Sequence, residues 1–334
     1  MSDLKISICM PVYNPSVFIK DTLKCILNQS FRDFELIIVD DASTLNVQEI
    51  IKDFKDSRIK YFRNEKNIGY SKNLEICRTK CSNEIIFLMS QDDIVADNTL
   101  YRIYEIFKKS ENIGAITRPY YFFHNNDVKR AVRVRGVYNK KCDSIVSIGS
   151  GLKSIVKIFE TLDQFSGLAY RRKYMDRGFH KDIFTSHIYP FASIFKKYDV
   201  VLLKDYTIAA RIATSQTRSL STIYSKSPLQ SWVDMFNSVF YEPEFTRMRR
   251  YCIKNFVAKN FVGLVQIKNY GQFRWLIREI TLLIKYRWQN IFDIRFWFFA
   301  LGTLIVPRRF LIWLADNYKD KVLSKFLKNI KLAE

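Results

Sequence analysis

The sequence has no run of about 18 apolar residues, so no ordinary helix of it can span a bilayer. The longest candidate, FWFFALGTLIV at 296–306, stops at Pro307. Histidine is scarce, with three residues at 124, 180 and 187. Of the six cysteines (9, 25, 77, 81, 142 and 252), only Cys77 and Cys81 lie close together, and no second pair follows at a zinc-like spacing. That excludes a zinc-ribbon framework and leaves the reduced, buried thiols of a cytosolic protein as the expectation. Acidic residues are in short supply: 33 Asp and Glu stand against 54 Lys and Arg, a net charge of +21. A surplus of that size predicts anionic partners, whether phosphate-bearing substrates, acidic lipid or nucleic acid. It is concentrated at the end, where 18 Lys and Arg face 5 Asp and Glu from Arg247 to Glu334. Low-complexity tracts and internal repeats are absent, and 48% hydrophobic residues supply a full core and argue against disorder. The opening MSDLKISICM reads as a strand rather than a secretory leader. The expected location is cytoplasmic, peripheral at the inner face of the plasma membrane.

What is present is strand–helix alternation. Leu4, Ile6, Ile8 and Met10 alternate as in a strand, and Ile19, Leu23, Ile26 and Leu27 share a helical face. FELIIV at 34–39 and EIIFLM at 84–89 are continuous apolar runs of the kind buried on both faces of a sheet. RIKYF at 58–62 and IGAIT at 113–117 add strands; residues 47–54, the Tyr70, Leu74, Cys77 set and the Leu100, Ile103, Tyr104, Phe107 set add helices. This order predicts a Rossmann-like, mostly parallel α/β sheet, whose ligands bind beyond the carboxyl ends of its strands. In the middle of the chain, GLAYRRKYM and YDVVLLKDY read as strand or strand-edge segments. Beyond a soft boundary at 222–228 the pattern turns helical, with a stripe of Phe273, Leu276, Ile280, Leu283 and Ile284 and another of Leu323, Phe326, Leu327 and Ile330.

Two acidic pairs end two of the buried runs: Asp40–Asp41 after FELIIV, and Asp92–Asp93 in MSQDDI. Adjacent carboxylates at strand ends are costly without compensation. A divalent cation bridging a diphosphate would compensate Asp92 and Asp93, and donors on a nucleoside would compensate Asp40. The plain alternative is Asp capping the loops that follow strands.

The stretch ISICMPVYNPSVFIKDTLKCILNQSFRDFELIIVDDAST closely resembles the opening of family 2 glycosyltransferases of the GT-A fold. NEKNIGYSKNLEIC and IIFLMSQDDI follow in that family's order and at its distances. The resemblance covers about residues 5–118 and continues weakly to about 215. It implies a GT-A catalytic domain over 1–222, with nucleotide-sugar binding in 1–118 and the acceptor side in 119–222. Residues 223–334 are then a basic, aromatic helical region for membrane association or oligomerisation.

The resemblance also implies roles. Pro11, Tyr13 and Asn14 match the first nucleotide loop, with the tyrosine ring on the base. Asp40 matches the carboxylate that reads the base, with Asp41 beside it. Lys72, with Asn73, stands where the family often has an arginine, and a cation there would neutralise phosphate. Asp92 matches the last carboxylate of the metal-binding Asp-x-Asp motif and is the expected ligand for Mn²⁺ or Mg²⁺, with Asp93 next to it. Ser90 replaces the first Asp, and a hydroxyl is a poor metal ligand beside a carboxylate. The Glu-Asp pair that usually supplies the general base is missing; Ser186 and His187 occupy its place. His187 and, five residues earlier, Asp182 are the candidate bases, against a purely structural histidine. Gly167 is expected to allow backbone approach to the sugar, and Arg171 and Arg172 to meet acceptor phosphate or form a solvated turn.

The expected activity is therefore inverting transfer of a sugar from a nucleoside diphosphate donor, expected to be UDP-linked, to a lipid-linked or saccharide acceptor in bacterial surface polysaccharide synthesis. The C-terminal helices, with Trp275, Trp288, Trp297 and Trp313, suit an anionic membrane surface, packing on the catalytic domain, or homo-oligomer contacts. Nucleic acid is not an expected partner. The alternatives are a basic nucleic-acid-binding protein, for which +21 speaks and the long apolar stripes do not, and a catalytically degenerate scaffold, for which Ser90 and the missing Glu-Asp pair speak.

Overall fold

A computed structural model describes residues 4–124, 127–136, 141–212 and 221–333. The chain divides into two compact units: Met1–Ile212 with Asn329–Glu334, and Ala213–Lys328. Residues 213–220, at the end of the expected acceptor side, lie outside the described residues.

The first unit is built on an eight-stranded sheet. Strands β1 (Ile6–Val12), β2 (Phe34–Asp40), β3 (Ile59–Arg63) and β4 (Ile85–Leu88) are parallel, in the order β3-β2-β1-β4. Every residue of β2 and of β4 is buried, as expected of apolar runs covered on both faces. Helices α1 (Ile19–Leu27), α2 (Val47–Lys52) and α3 (Tyr70–Lys80) make the crossovers, and α4 (Thr99–Lys109) follows β4. β1 is flanked by β2 on one side and β4 on the other, which puts the topological switch point at its carboxyl end. Register with β4 stops at Cys9, while β2 stays paired as far as Val12 with Asp40. A crevice therefore opens past β1 and β4.

Beyond β4 the parallel pattern breaks. Ala169–Arg171 (β10) runs antiparallel between β4 and Ile113–Thr117 (β6). Asp199–Leu202 (β11) pairs parallel to β6, and Ser144–Val146 (β9) closes the edge antiparallel. A second sheet, absent from the sequence reading, joins Ile94–Val95 (β5), Ile208–Arg211 (β12), Tyr120–Phe123 (β7) and Ala131–Arg135 (β8). Helices α5 (Leu152–Phe159) and α6 (Ile188–Phe195) complete the unit.

Gly167 begins the approach to β10 and has φ +84°. A methyl group there would lie 2.4 Å from Ile208 Cγ1 and 2.8 Å from Arg118 Nε. The packing of Ile208 and Arg118 against this position therefore requires glycine here. Gly167→Ala is expected to cost about 3 kcal/mol, from left-handed backbone strain plus overpacking, read as a lower midpoint in urea unfolding. An unchanged midpoint would show that Ile208 relaxes freely.

The second unit is helical in its described residues: α7 (Pro228–Val239), α8 (Thr246–Asn255), α9 (Gly263–Tyr270), α10 (Phe273–Tyr286), α11 (Ile294–Ile305) and α12 (Arg308–Asn317). Ser227 caps α7, its hydroxyl accepting from Gln230 N, with Pro228 at the first helical position. Buried Asn290 ties the unit internally by donating to Ala258 O and Leu283 O, each at 2.8 Å. No described helix is long and apolar enough to cross a membrane.

Candidate active site

The loop after β1 carries Tyr13 and Asn14. Asn14 takes φ 41°, a left-handed conformation asparagine tolerates, and its Oδ1 accepts from Thr44 N at 2.8 Å and Thr44 Oγ1 at 3.0 Å. Tyr13 is clamped at its backbone by Gln91: its N–H donates to Gln91 Oε1 at 3.0 Å, and Gln91 Nε2 donates to its carbonyl at 3.2 Å. The second residue of SQDD thus joins the ends of β1 and β4, and Tyr13 is 40% exposed. Pro11 is half-buried in the last turn of β1 pairing.

Asp40 and Asp41 are inside the protein. Asp40 is fully buried and accepts from Ser43 N at 3.0 Å, Ser43 Oγ, Tyr61 Oη at 2.9 Å and Arg63 Nη1 at 2.7 Å. Asp41 accepts from Asn64 Nδ2, Ile68 N and Gly69 N, each at 2.9 Å, and so holds the loop that leads into α3. In this structure the four protein donors to the Asp40 carboxylate fix the loop that follows β2. Asn73 is committed likewise: its Nδ2 donates to Val39 O at 2.9 Å and its Oδ1 accepts from Asn64 Nδ2 at 3.0 Å. Lys72 stands exposed on the first turn of α3, in a groove with Ile68, Ser71, Glu75, Phe179 and Lys181.

The second acidic pair divides its duties. Asp93 accepts from Ser166 Oγ at 2.6 Å, Gln164 Nε2 at 2.8 Å and Arg211 N at 2.9 Å. Burial, and then the charge of Asp92, push its carboxyl up to about 7. Asp92 sits at the edge, 9% exposed, and accepts from Ser90 Oγ, while Ser90 N donates to Ser166 Oγ at 2.9 Å. The serine that replaces an aspartate therefore orients the neighbouring carboxylate. Among the described residues no group of three or more His, Cys, Asp or Glu side chains could hold a metal by itself. A cation carried by a diphosphate needs only one or two protein carboxylates, and Asp92 fits that requirement.

Residues 161–165, which the sequence reading passed over, and Ser166 connect this pair to His187. Gln164 and Ser166 hold Asp93, and His187 Nε2 lies 2.7 Å from Leu162 O. Buried Arg118 braces the segment, donating to Thr161 O at 2.9 Å and Gln164 O at 2.7 Å. Burial lowers its guanidinium to about 10, still charged at neutral pH. Since a carbonyl can only accept, Nε2 of His187 carries the proton and Nδ1 the lone pair. Nδ1 is buried with no hydrogen-bond partner among the described residues, and burial lowers the imidazole to about 4. Asp182 Oδ1 accepts from Phe184 N at 2.9 Å and Thr185 N at 3.2 Å, which makes it the anchor of the turn before α6. Arg171 is also corrected: it is buried, and its guanidinium binds Ile113 O, Phe107 O and Ser110 O, closing the C-terminus of α4 rather than facing acceptor. Arg172 Nε donates to Asn83 O at 2.6 Å. The sequence held one cue to the brace, an arginine directly after an apolar strand in IGAITR.

The chain is 33% identical over 113 residues to poly-beta-1,6-N-acetyl-D-glucosamine synthase of Staphylococcus epidermidis, a match covering 34% of the chain and 27% of that protein. It is 29% identical over 168 residues to the Escherichia coli UDP-Glc:alpha-D-GlcNAc-diphosphoundecaprenol beta-1,3-glucosyltransferase WfgD, covering 50% and 65%. The chain thus spans less than two thirds of each of these relatives. Among solved structures, S. aureus TarS 1-349 in complex with UDP-GlcNAc aligns with a TM-score of 0.62 at 16% identity over 95% of this chain and 92% of that one. Mannosyltransferase PcManGT from Pyrobaculum calidifontis, in complex with GDP-Man and Mn²⁺, aligns at 0.54 and 14% identity over 91% and 87%. Both likenesses show the fold, the mixed α/β glycosyltransferase architecture anticipated from sequence. The profile described as Glycosyl transferase family 2 matches residues 7–198, from β1 to the strand after α6, and with that span more than half of its length, the chain belongs to glycosyl transferase family 2.

Proposed function

We propose that the chain is an inverting glycosyltransferase that moves a sugar from a UDP-linked donor to a lipid-linked or saccharide acceptor, at the inner face of the plasma membrane, in bacterial surface polysaccharide synthesis. The observation that carries this reading is the switch point itself, where Gln91, next to Asp92 in the chain, clamps the backbone of half-exposed Tyr13. UDP is favoured because the names of WfgD and of the TarS complex both print a UDP sugar.

In this reading Tyr13 packs on the base, and the loop fixed by Asp40 and Asn14 shapes the rest of the nucleoside site. Lys72 offers a cation to phosphate at the start of α3. Asp92 would hold Mn²⁺ or Mg²⁺, which would stabilise the charge of the leaving diphosphate. His187 Nδ1 takes the proton of the acceptor hydroxyl as it attacks the anomeric carbon from the face opposite the leaving group. Asp182 is set aside because its oxygen anchors a turn.

The experiment is a panel of UDP, GDP and dTDP sugars with Mn²⁺, read by thermal shift and by release of the nucleoside diphosphate. UDP sugars are expected to raise the unfolding temperature and be turned over. Binding without turnover on any acceptor would favour the scaffold reading, and absence of any shift would overturn the donor assignment.

A further inference from the structure

Helix α11 is apolar on both faces, and only one of them is covered. Phe296, Ala300 and Thr303 are buried, and the helix packs on α9. On the opposite side Ile294, Trp297, Phe298, Leu301 and Ile305 stand at offsets 0, 3, 4, 7 and 11, one continuous stripe. All five are exposed, Phe298 at 73% and Ile305 at 76%. No charged residue occurs between Arg295 and Arg308. Just before the helix, Trp288 and Phe292 are exposed as well, and Trp297 Nε1 donates to Ile291 O at 2.7 Å, which ties that turn to the stripe. Just after it, α12 exposes Phe310, Trp313 and Leu314 at offsets 0, 3 and 4, with Phe310 and Trp313 rings stacked at 5.6 Å.

An apolar helix face of this extent needs an occupant. Twelve helical residues reach about 18 Å, too short to cross a bilayer but enough to lie along its surface. Charge decides between a lipid surface and a second copy of the chain. Between Lys285 and Lys328 nine Lys and Arg stand against three Asp, and Arg308 and Arg309 are both exposed at the turn out of α11. Self-association through this face would bring two such positive segments together, whereas an anionic leaflet attracts them. Tryptophan on the apolar face and arginine at its borders are the composition of a helix seated at the headgroup boundary.

We propose that the outer face of α11, extended by the Trp288–Phe292 turn and α12, is an interfacial docking surface for anionic phospholipid. It deepens the reading of the protein as a transferase meeting its acceptor at a membrane, and rests on that reading only for its purpose. Vesicle binding needs neither donor nor acceptor, so its failure would leave sugar transfer standing.

The test is co-sedimentation of the full chain with phosphatidylcholine vesicles, with and without phosphatidylglycerol. Binding is expected with the anionic vesicles and to fall with added salt. Trp297→Ser with Phe298→Ser should weaken it roughly 100-fold by removing two inserted aromatics. Arg308→Gln with Arg309→Gln should weaken it roughly 30-fold at low salt. Phe298, Arg308 and Arg309 face solvent and Trp297 gives up one hydrogen bond to Ile291 O, so circular dichroism should match the parent and the unfolding midpoint should fall by no more than that bond allows, about 1 kcal/mol. Failure of the parent to bind anionic vesicles overturns the proposal, as does equal binding by both variants. A parent that instead dimerises in sedimentation velocity, with the dimer broken by the Trp297 and Phe298 changes, overturns it in favour of self-association.

Discussion

Asp92→Asn should lower kcat/KM for sugar transfer roughly 10²–10³-fold, the loss typical when one pre-oriented electrostatic partner of developing charge is removed. Asparagine keeps the shape and can still accept from Ser90 Oγ. What it removes is the charge that would hold a cation against diphosphate. The contrast with Asp93→Asn makes the test sharp. Asp93 accepts from Ser166, Gln164 and Arg211 N within the protein, so its replacement should act first on folding stability and on the order of residues 161–166. Kinetics and urea unfolding on both variants, with and without EDTA, separate the two aspartates. Full activity of Asp92→Asn together with indifference to EDTA would end the metal assignment.

Much of the first unit was legible from residue patterns. β1, β2, β4 and the helices between them announce themselves because continuous apolar runs and 3.6-residue stripes directly encode which faces are buried. The same patterns located the crevice, since a strand buried on both faces leaves its ligand site only at its end. They could not say which carboxylates remain available there. Asp40 and Asp92 look alike in sequence, yet Tyr61 and Arg63 reach Asp40 from a strand more than twenty residues away, while Ser90, two positions before Asp92, donates to the latter. The brace of Arg118 on residues 161–164 was equally hidden, because its partners lie 43 and 46 positions along the chain and are backbone carbonyls that carry no residue signature. β10 was unreadable in direction: three residues fit either orientation, and pairing with β4 and β6 decides it.

His187→Gln is the second change with a large expected effect, and it separates catalysis from structure. Glutamine can donate to Leu162 O as the imidazole does, so the tie to residues 161–166 survives while the basic Nδ1 is lost. If Nδ1 takes the acceptor proton, kcat should fall roughly 10²–10⁴-fold with little change in donor binding. With the imidazole held near 4 by burial, the acid limb of the wild-type kcat profile should lie near pH 4 rather than 6.5. Stability gives an independent reading. A histidine whose native pKa is depressed takes up its proton on unfolding as the pH falls below about 6.5, so the folded state loses stability from there down to about pH 4. The shift from 6.5 to about 4 corresponds to about 3 kcal/mol at the acid end. His187→Gln should remove that slope whichever role the ring plays, which makes it the internal control. A variant that loses the slope yet retains kcat within about threefold would mark His187 as a buried tie between α6 and the 161–166 segment, and the base would then have to come from another side chain.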